Sequence, residues 1–353
     1  MRLARKMVAA LGRTACVVAW CLLGLWTAAA LFYNVPLSPW PAALLALGVA
    51  LLYASALRER FFVRGRPGVP WRETRRSLAA LAVTAAVAVW YFGFMEPDPD
   101  QDWIPKHSRM PHVEVKGDKV YVSNVRDYVW RTESDFTPGY RDRVYDLNAL
   151  RSMYFVLAPF DLLEPVAHVW VGFGFSDGRH VAVSVEARTV KGRPFDLLPA
   201  MFRQFQLIYV IGEERDVIGL RVVARNAEVR FYPVRTTPER MRFLFLDMMQ
   251  RAHSLAEHPE FYNLFANNCM NNITYHVRRL GGRPLPCAWR LLLTGFSDRL
   301  AYDYGFLDTD LPFERARQAF RIDEAMRQVP LDEHYSDRLR EVLKRQGADN
   351  VPP

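Results

Sequence analysis

Three long apolar runs open the chain, near residues 15–33, 41–57 and 78–95, each close to the ~20 residues that cross a bilayer. A cleaved leader accounts for the first run alone and leaves the third unexplained, so retained membrane helices are expected. From about residue 100 the periods shorten. Residues 169–175 and 181–187 alternate apolar and polar positions around Ser176-Asp177-Gly178-Arg179-His180, which predicts a β-hairpin with His180 in its turn. The odd positions, Val169 to Phe175 and Val181 to Val185, are apolar and mark the core face, while the even positions carry His168, Ser184, Glu186 and Arg188. A hairpin centred on Gly178 sets His168 opposite Arg188 and diagonal to Glu186. A second strand pair is expected over 205–211 and 216–223. A helix follows over 238–257, with Thr237 as its cap and Pro238 at its first position.

Asn267-Asn268-Cys269-Met270-Asn271-Asn272 predicts another helix start. Asn268 is a good N-cap, Ile273, Val277 and Leu280 recur at helical spacing, and Gly281-Gly282 closes the segment. Cys269 then sits in the first turn, where unpaired backbone N–H groups and the helix dipole favour the reactive thiolate. The other cysteines are Cys16, Cys21 and Cys287. In an oxidising compartment, Cys269 paired with Cys287 in a structural disulfide is the alternative.

Charge gives the orientation. Arg2, Arg5, Lys6 and Arg13 precede the first run, and seven arginines from Arg58 to Arg76 separate the second and third. Both segments are cytoplasmic by the positive-inside rule, and the domain after the third run is extracytoplasmic. A net charge of +8 therefore reflects topology and attraction to anionic lipid rather than nucleic-acid binding. No Gly-rich phosphate loop, paired-cysteine zinc spacing or His-Glu-x-x-His helix is present, so no cofactor or metal is expected. The expected organisation is a membrane region over 1–96, a linker over 97–109, a periplasmic domain over 110–330 and a peripheral segment over 331–353.

Nucleophilic catalysis by cysteine needs a thiolate, a base, a group that orients the base, and oxyanion donors. Cys269, His168, and Glu186 or Ser184 are the candidates for the first three. The N–H groups around Cys269, with an asparagine side chain from Asn267 or Asn268, are candidate donors. Tyr209, Tyr262 and Asn263 are candidate lining residues, although core packing explains both tyrosines equally well. His276, about 10 Å along the helix from Cys269, is expected at the surface.

These residues resemble the Lnb N-terminal periplasmic domain family, named for a bacterial lipoprotein N-acyltransferase. The resemblance runs through Asn124-Val125-Arg126-Asp127, Ala167-His168-Val169, Ser184-Val185-Glu186-Ala187-Arg188, Glu213-Glu214-Arg215-Asp216, Pro259-Glu260-Phe261-Tyr262-Asn263 and Asn267-Asn268-Cys269, within residues 110–320. The order of histidine strand, polar partner and Asn-Cys helix is also similar to permuted papain-like enzymes such as lecithin retinol acyltransferase. The expected fold is α+β: three N-terminal transmembrane helices from the apolar runs, then, as the resemblance implies, a permuted papain-like domain with an antiparallel sheet and a cysteine-bearing helix. The resemblance further implies Cys269 and His168 as nucleophile and base, with Glu186 favoured as third member by the hairpin geometry. The implied location is the bacterial inner membrane, multi-pass, with the C-terminal domain in the periplasm. Met270-Asn271 stand where the family commonly has two threonines, and the spans lie ahead of the domain, which leaves the substrate open. The leading expectation is a thiol acyltransferase taking an acyl group from a phospholipid-like membrane lipid to a lipoprotein amine. The alternatives are a cysteine peptidase or amidase acting on cell-wall peptides, and a non-catalytic envelope binding module.

Overall fold

The computed structural model describes residues 2–59, 70–160, 163–281 and 293–346. The chain divides into two units, one of residues 1–97 with 196–204, the other of 98–195 with 205–353.

The first unit holds α1 (Arg2–Asn34), α2 (Pro39–Leu57) and α3 (Pro70–Gly93). All three are long and apolar enough to cross a membrane, over Arg5–Asn34, Pro39–Leu57 and Arg75–Gly93. Tyr53 packs with Ala28, Val49 and Ala80 between them. Thr27 and Thr84 share a hydroxyl hydrogen bond of 2.8 Å, and the Tyr53 hydroxyl donates to the Ala80 carbonyl. Turning hydroxyls inward is what hydrocarbon demands, because lipid offers them no partner. Gly24 permits the α1–α2 approach, since a Cβ there would lie 2.6 Å from the Tyr53 ring. The short α4 (Leu197–Ala200) belongs to this unit, and Phe202 just after it packs with Ala30, Val87 and Tyr91.

The second unit is built on a sheet of β1 (His112–Lys116), β2 (Lys119–Arg126), β5 (Tyr140–Asp146), β6 (Leu150–Phe160), β7 (Leu163–Phe175), β8 (His180–Arg188), β9 (Gln206–Gly212) and β10 (Arg230–Pro233). The order is β1-β2-β9-β8-β7-β6-β10, with β5 also on β2. A separate ribbon pairs β3 (Val129–Trp130) with β4 (Phe136–Thr137). Pairing is antiparallel except where Arg126 of β2 meets Gly212 of β9. The alternation in β7 and β8 puts Val169, Phe173, Val181 and Val183 in the core, as the pattern predicts. Above that face lie α6 (Pro238–Glu257) and α7 (Cys269–Arg279), with Phe245 edge-on to Phe173 and Phe175.

Several expectations are corrected. The hairpin register pairs Trp170 with Ser184 and Gly174 with His180, two residues from the expected pairing, because the turn is tighter and His180 opens β8. Residues 216–223 are not a strand: they form α5 (Glu214–Gly219) and a π-helical turn over Leu220–Ala224. Both edges of β9 are already occupied by β8 and β2, so this apolar run buries Val217, Ile218, Leu220 and Val222 as a helix instead. The stretch read as a linker is packed from residue 98 onward, with Trp103 bridging to Val190 and His107 buried. After α8 (Ser297–Asp303), α9 (Phe313–Ala319) and α10 (Asp323–Met326) comes α11 (Tyr335–Arg345). It is no peripheral segment, for Tyr335, Leu339, Arg340 and Leu343 are buried and Arg340 forks onto Glu214. The tail over 347–353 lies outside the described residues.

Candidate functional site

The helix start at Cys269 forms as the sequence dictates. Asn268 accepts from the Asn271 N–H while Asn271 accepts from the Asn268 N–H, a reciprocal capping box. Cys269 is a buried, free thiol. Cys287, its expected alternative partner, lies outside the described residues. The backbone N–H groups of Val169, Met270 and Cys269 itself lie within reach of the sulfur and favour its thiolate. Burial nonetheless pushes the thiol up, against the pull of those N–H groups and with Glu186 adding to the rise.

On the even face of β7 and β8 three predicted residues form one hydrogen-bonded chain. Ser184 Oγ donates to Glu186 Oε1 at 2.8 Å, and His168 Nε2 lies 2.8 Å from the same Oγ. The serine has one proton and gives it to the carboxylate, so it accepts from His168 Nε2–H. Nδ1 of His168 is thereby the ring's acceptor nitrogen. The Glu186 carboxylate stands 3.9 Å from Nε2, so Ser184 carries the contact. Burial beside Arg221 pushes His168 down to about 3, which keeps its imidazole neutral.

Glu186 is the hub of a buried polar cluster. It accepts from Arg221 at 3.1 Å and from His107 Nε2 at 3.1 Å. The Thr189 N–H donates to His107 Nδ1, which fixes His107 as the Nε2–H tautomer. Arg221, His107 and the nearby His168 and Arg126 hold the Glu186 carboxyl well below its usual range despite burial. Arg126 and Arg188 in turn donate to the carbonyls of Lys106 and His107, pinning that turn under the site. Burial beside Arg225, Arg221 and Arg126 brings the Lys106 amine down to about 7, opposed by Glu186. His107, Lys106 and Arg221 were missed by sequence reasoning. His107, with Lys106 beside it, lies 79 residues before Glu186 and Arg221 lies 35 after, with no motif joining them.

Cys269 and His168 are linked through the backbone rather than through their side chains. The N–H of Val169, the residue after His168, contacts the sulfur. Among the described residues no hydrogen bond joins Cys269 to His168 or Glu186. Tyr262 lies within electrostatic reach of the thiol. Other predicted side chains are committed elsewhere. Asn267 donates to Glu260 and Phe261, and Asn268 donates to Leu264. Asn263 caps a turn by accepting from Phe265 and Ala266. Tyr209 bonds Asn272 and His276. His276 is not a surface residue: it is fully buried at 2.7 Å from Asp247, because α6 lies over that face of α7. Among the described residues no cluster of three or more His, Cys, Asp or Glu suits a metal.

Residues 136–295 match the family model of the Lnb N-terminal periplasmic domain. The matched segment contains His168, Ser184, Glu186 and Cys269, and leaves Arg126 and His107 outside it. No curated protein and no solved structure matches the chain. With apolar helices ahead of the matched segment, the chain is a membrane-anchored protein with a periplasmic domain.

Proposed function

We propose that this protein is a multi-pass inner-membrane enzyme that moves an acyl group through Cys269, from a phospholipid-like donor to an amine such as that of a lipoprotein. The observation that carries the reading is the His168–Ser184–Glu186 chain. It presents a neutral imidazole with Nδ1 as acceptor, one residue from the N–H that contacts the Cys269 sulfur. On this reading the sheet and the cysteine helix make a permuted papain-like fold.

The thiol is protonated at rest, so activation is by general base rather than by a standing ion pair. His168 Nδ1 takes the S–H proton as the sulfur bonds to the acyl carbon. The ester C–O bond breaks, and the same proton passes to the departing lysolipid oxygen. An amine then attacks the thioester, gives its proton to Nδ1, and the C–S bond breaks to restore the thiol. On this reading the N–H groups that act on the sulfur, those of Cys269, Met270 and Val169, also stabilise the oxyanion of both steps. Hydrogen bonds of resting catalytic pairs often tighten only with substrate bound, which suits the missing Cys269–His168 contact.

That missing contact and the buried thiol also support a second reading, a binding module whose cysteine is inert. Intact mass spectrometry after incubation with mixed phospholipids separates the two. The acyl-transfer reading expects a fatty-acyl increment on wild type that Cys269→Ala and His168→Ala both lose. No increment on a thiol that alkylates in the native protein moves the assignment to peptide or amide cleavage. A thiol that alkylates only after unfolding leaves the binding module.

A further inference from the structure

A cavity of about 470 Å³ lies in the second unit between β6, β7, α7 and α8, walled by Phe155, Val171, Met270, Ile273, Val277 and Leu300 among others. Helix α7 supplies positions 270, 273, 274, 277 and 278, one continuous stripe. At 1.5 Å rise per residue that stripe is about 12 Å long.

Cys269 is not itself among the described lining residues, and two routes lead from it to the cavity wall. Along β7, Val171 follows two residues after Val169, on the same face and so about 7 Å on, and Val169 is the residue whose N–H meets the sulfur. Along α7, Ile273 stands one turn above Cys269 at i+4. Size and chemistry select the occupant. An apolar cavity of ~150 Å³ holds benzene, six carbons, so this one has room for roughly three times as many. Among the described residues no acidic side chain lines it. Most of its wall is apolar, which disfavours a peptide, whose every buried N–H and C=O requires a partner. Among its polar lining groups the Thr274 hydroxyl is buried without a hydrogen-bond partner among the described residues. Arginines, among them Arg240 and Arg278, border the space.

We infer that this cavity is a fatty-acyl-chain site, receiving the chain that Cys269 carries. The inference rests on the acyl-transfer reading for its link to the thiol. It names the substrate class as a single long chain, lying along α7 from the sulfur.

The test uses the full-length Cys269→Ala protein in lipid nanodiscs, photolabelled with a palmitate analogue bearing a terminal diazirine, and maps the labelled peptides by mass spectrometry. Label is expected on peptides spanning 153–155 and 270–277, displaced by unlabelled palmitate. It should fall at least fivefold in Val277→Trp, which fills the cavity from α7. Ala301→Phe fills it from α8 and serves if Val277→Trp does not fold. Label confined to residues 2–93, or undiminished in a folded filling variant, overturns the inference. Because the alanine background forms no thioester, labelling does not depend on catalysis. A labelled cavity in a protein whose wild-type thiol never gains acyl mass would reject the catalytic reading while keeping the chain site.

Discussion

Asp216→Asn is the sharpest test of how the second unit is held together. The Asp216 carboxylate is fully buried and accepts four hydrogen bonds: Arg126 Nε and the Tyr128 N–H on one oxygen, Arg126 NH2 and Trp130 Nε1 on the other. Asparagine keeps the shape but replaces one oxygen with a donor. Whichever way the amide turns, two of these donors lose their acceptor and face N–H instead. Two orphaned buried donors cost ~1–3 kcal/mol each, and a buried guanidinium stripped of its counter-charge costs ~3–5 kcal/mol, a figure that overlaps the first. About 4 kcal/mol is the expected loss. For a domain of this size each kcal/mol lowers Tm by ~2–4 °C, which predicts a fall of about 10 °C by tryptophan fluorescence on heating. Asp127→Asn is the internal control. Its partners Arg215 and Arg141 are 12% and 43% exposed, so they rehydrate when the charge goes, and less than half that fall is expected. Equal shifts, or a fall under about 3 °C for Asp216→Asn, would refute the argument from burial.

The remaining predictions concern the polar cluster and the thiol. Burial holds His168 down to about 3 and His107 and His180 down to about 4, so each stays neutral when folded while its unfolded counterpart gains a proton below about 6.5. Their stabilising neutrality is complete above that pH and is lost as pH falls toward those values, about 2 kcal/mol each at pH 5. Thermal scans should show a steep fall from pH 7 to 5, and a flat profile would deny that these rings are buried neutral. Ser184→Ala removes the bridge to His168 and should lower kcat by roughly 10–100-fold with KM little changed; unaltered kcat would remove Ser184 from the positioning chain. Glu186→Gln should impair turnover less than His168→Ala, read in the same acyl-transfer assay. Because burial raises the Cys269 thiol, its alkylation rate in the native protein should climb about tenfold per pH unit from 7 to 9. A plateau below pH 8 would mean a thiolate already stabilised at rest.

What was legible in the sequence and what was not follow from the range of the forces involved. The membrane helices, the Thr237-Pro238 and Asn268 helix starts and the core face of the β7–β8 hairpin rest on neighbours within a turn or a strand pair, and local pattern finds them. The failures lie where distant chain decides. Apolar residues 216–223 read as a strand until β8 and β2 are seen occupying both edges of β9. His276 reads as a surface ring until α6 sets Asp247 against it. The charged motifs Arg126-Asp127 and Arg215-Asp216 carry part of the family resemblance, and they fold into reciprocal pairs, Arg126 with Asp216 and Arg215 with Asp127. Glu214 likewise binds Arg340 and Glu213 binds Arg143. These motifs are therefore framework: they tie α5 to β2, β5 and α11, and α5 leads directly into the turn that carries Arg221 to Glu186. A family resemblance carried by such residues reports the scaffold as strongly as the chemistry. Evidence for catalysis must then come from His168, Ser184 and Cys269, where a substitution can silence turnover while those ion pairs keep the fold intact.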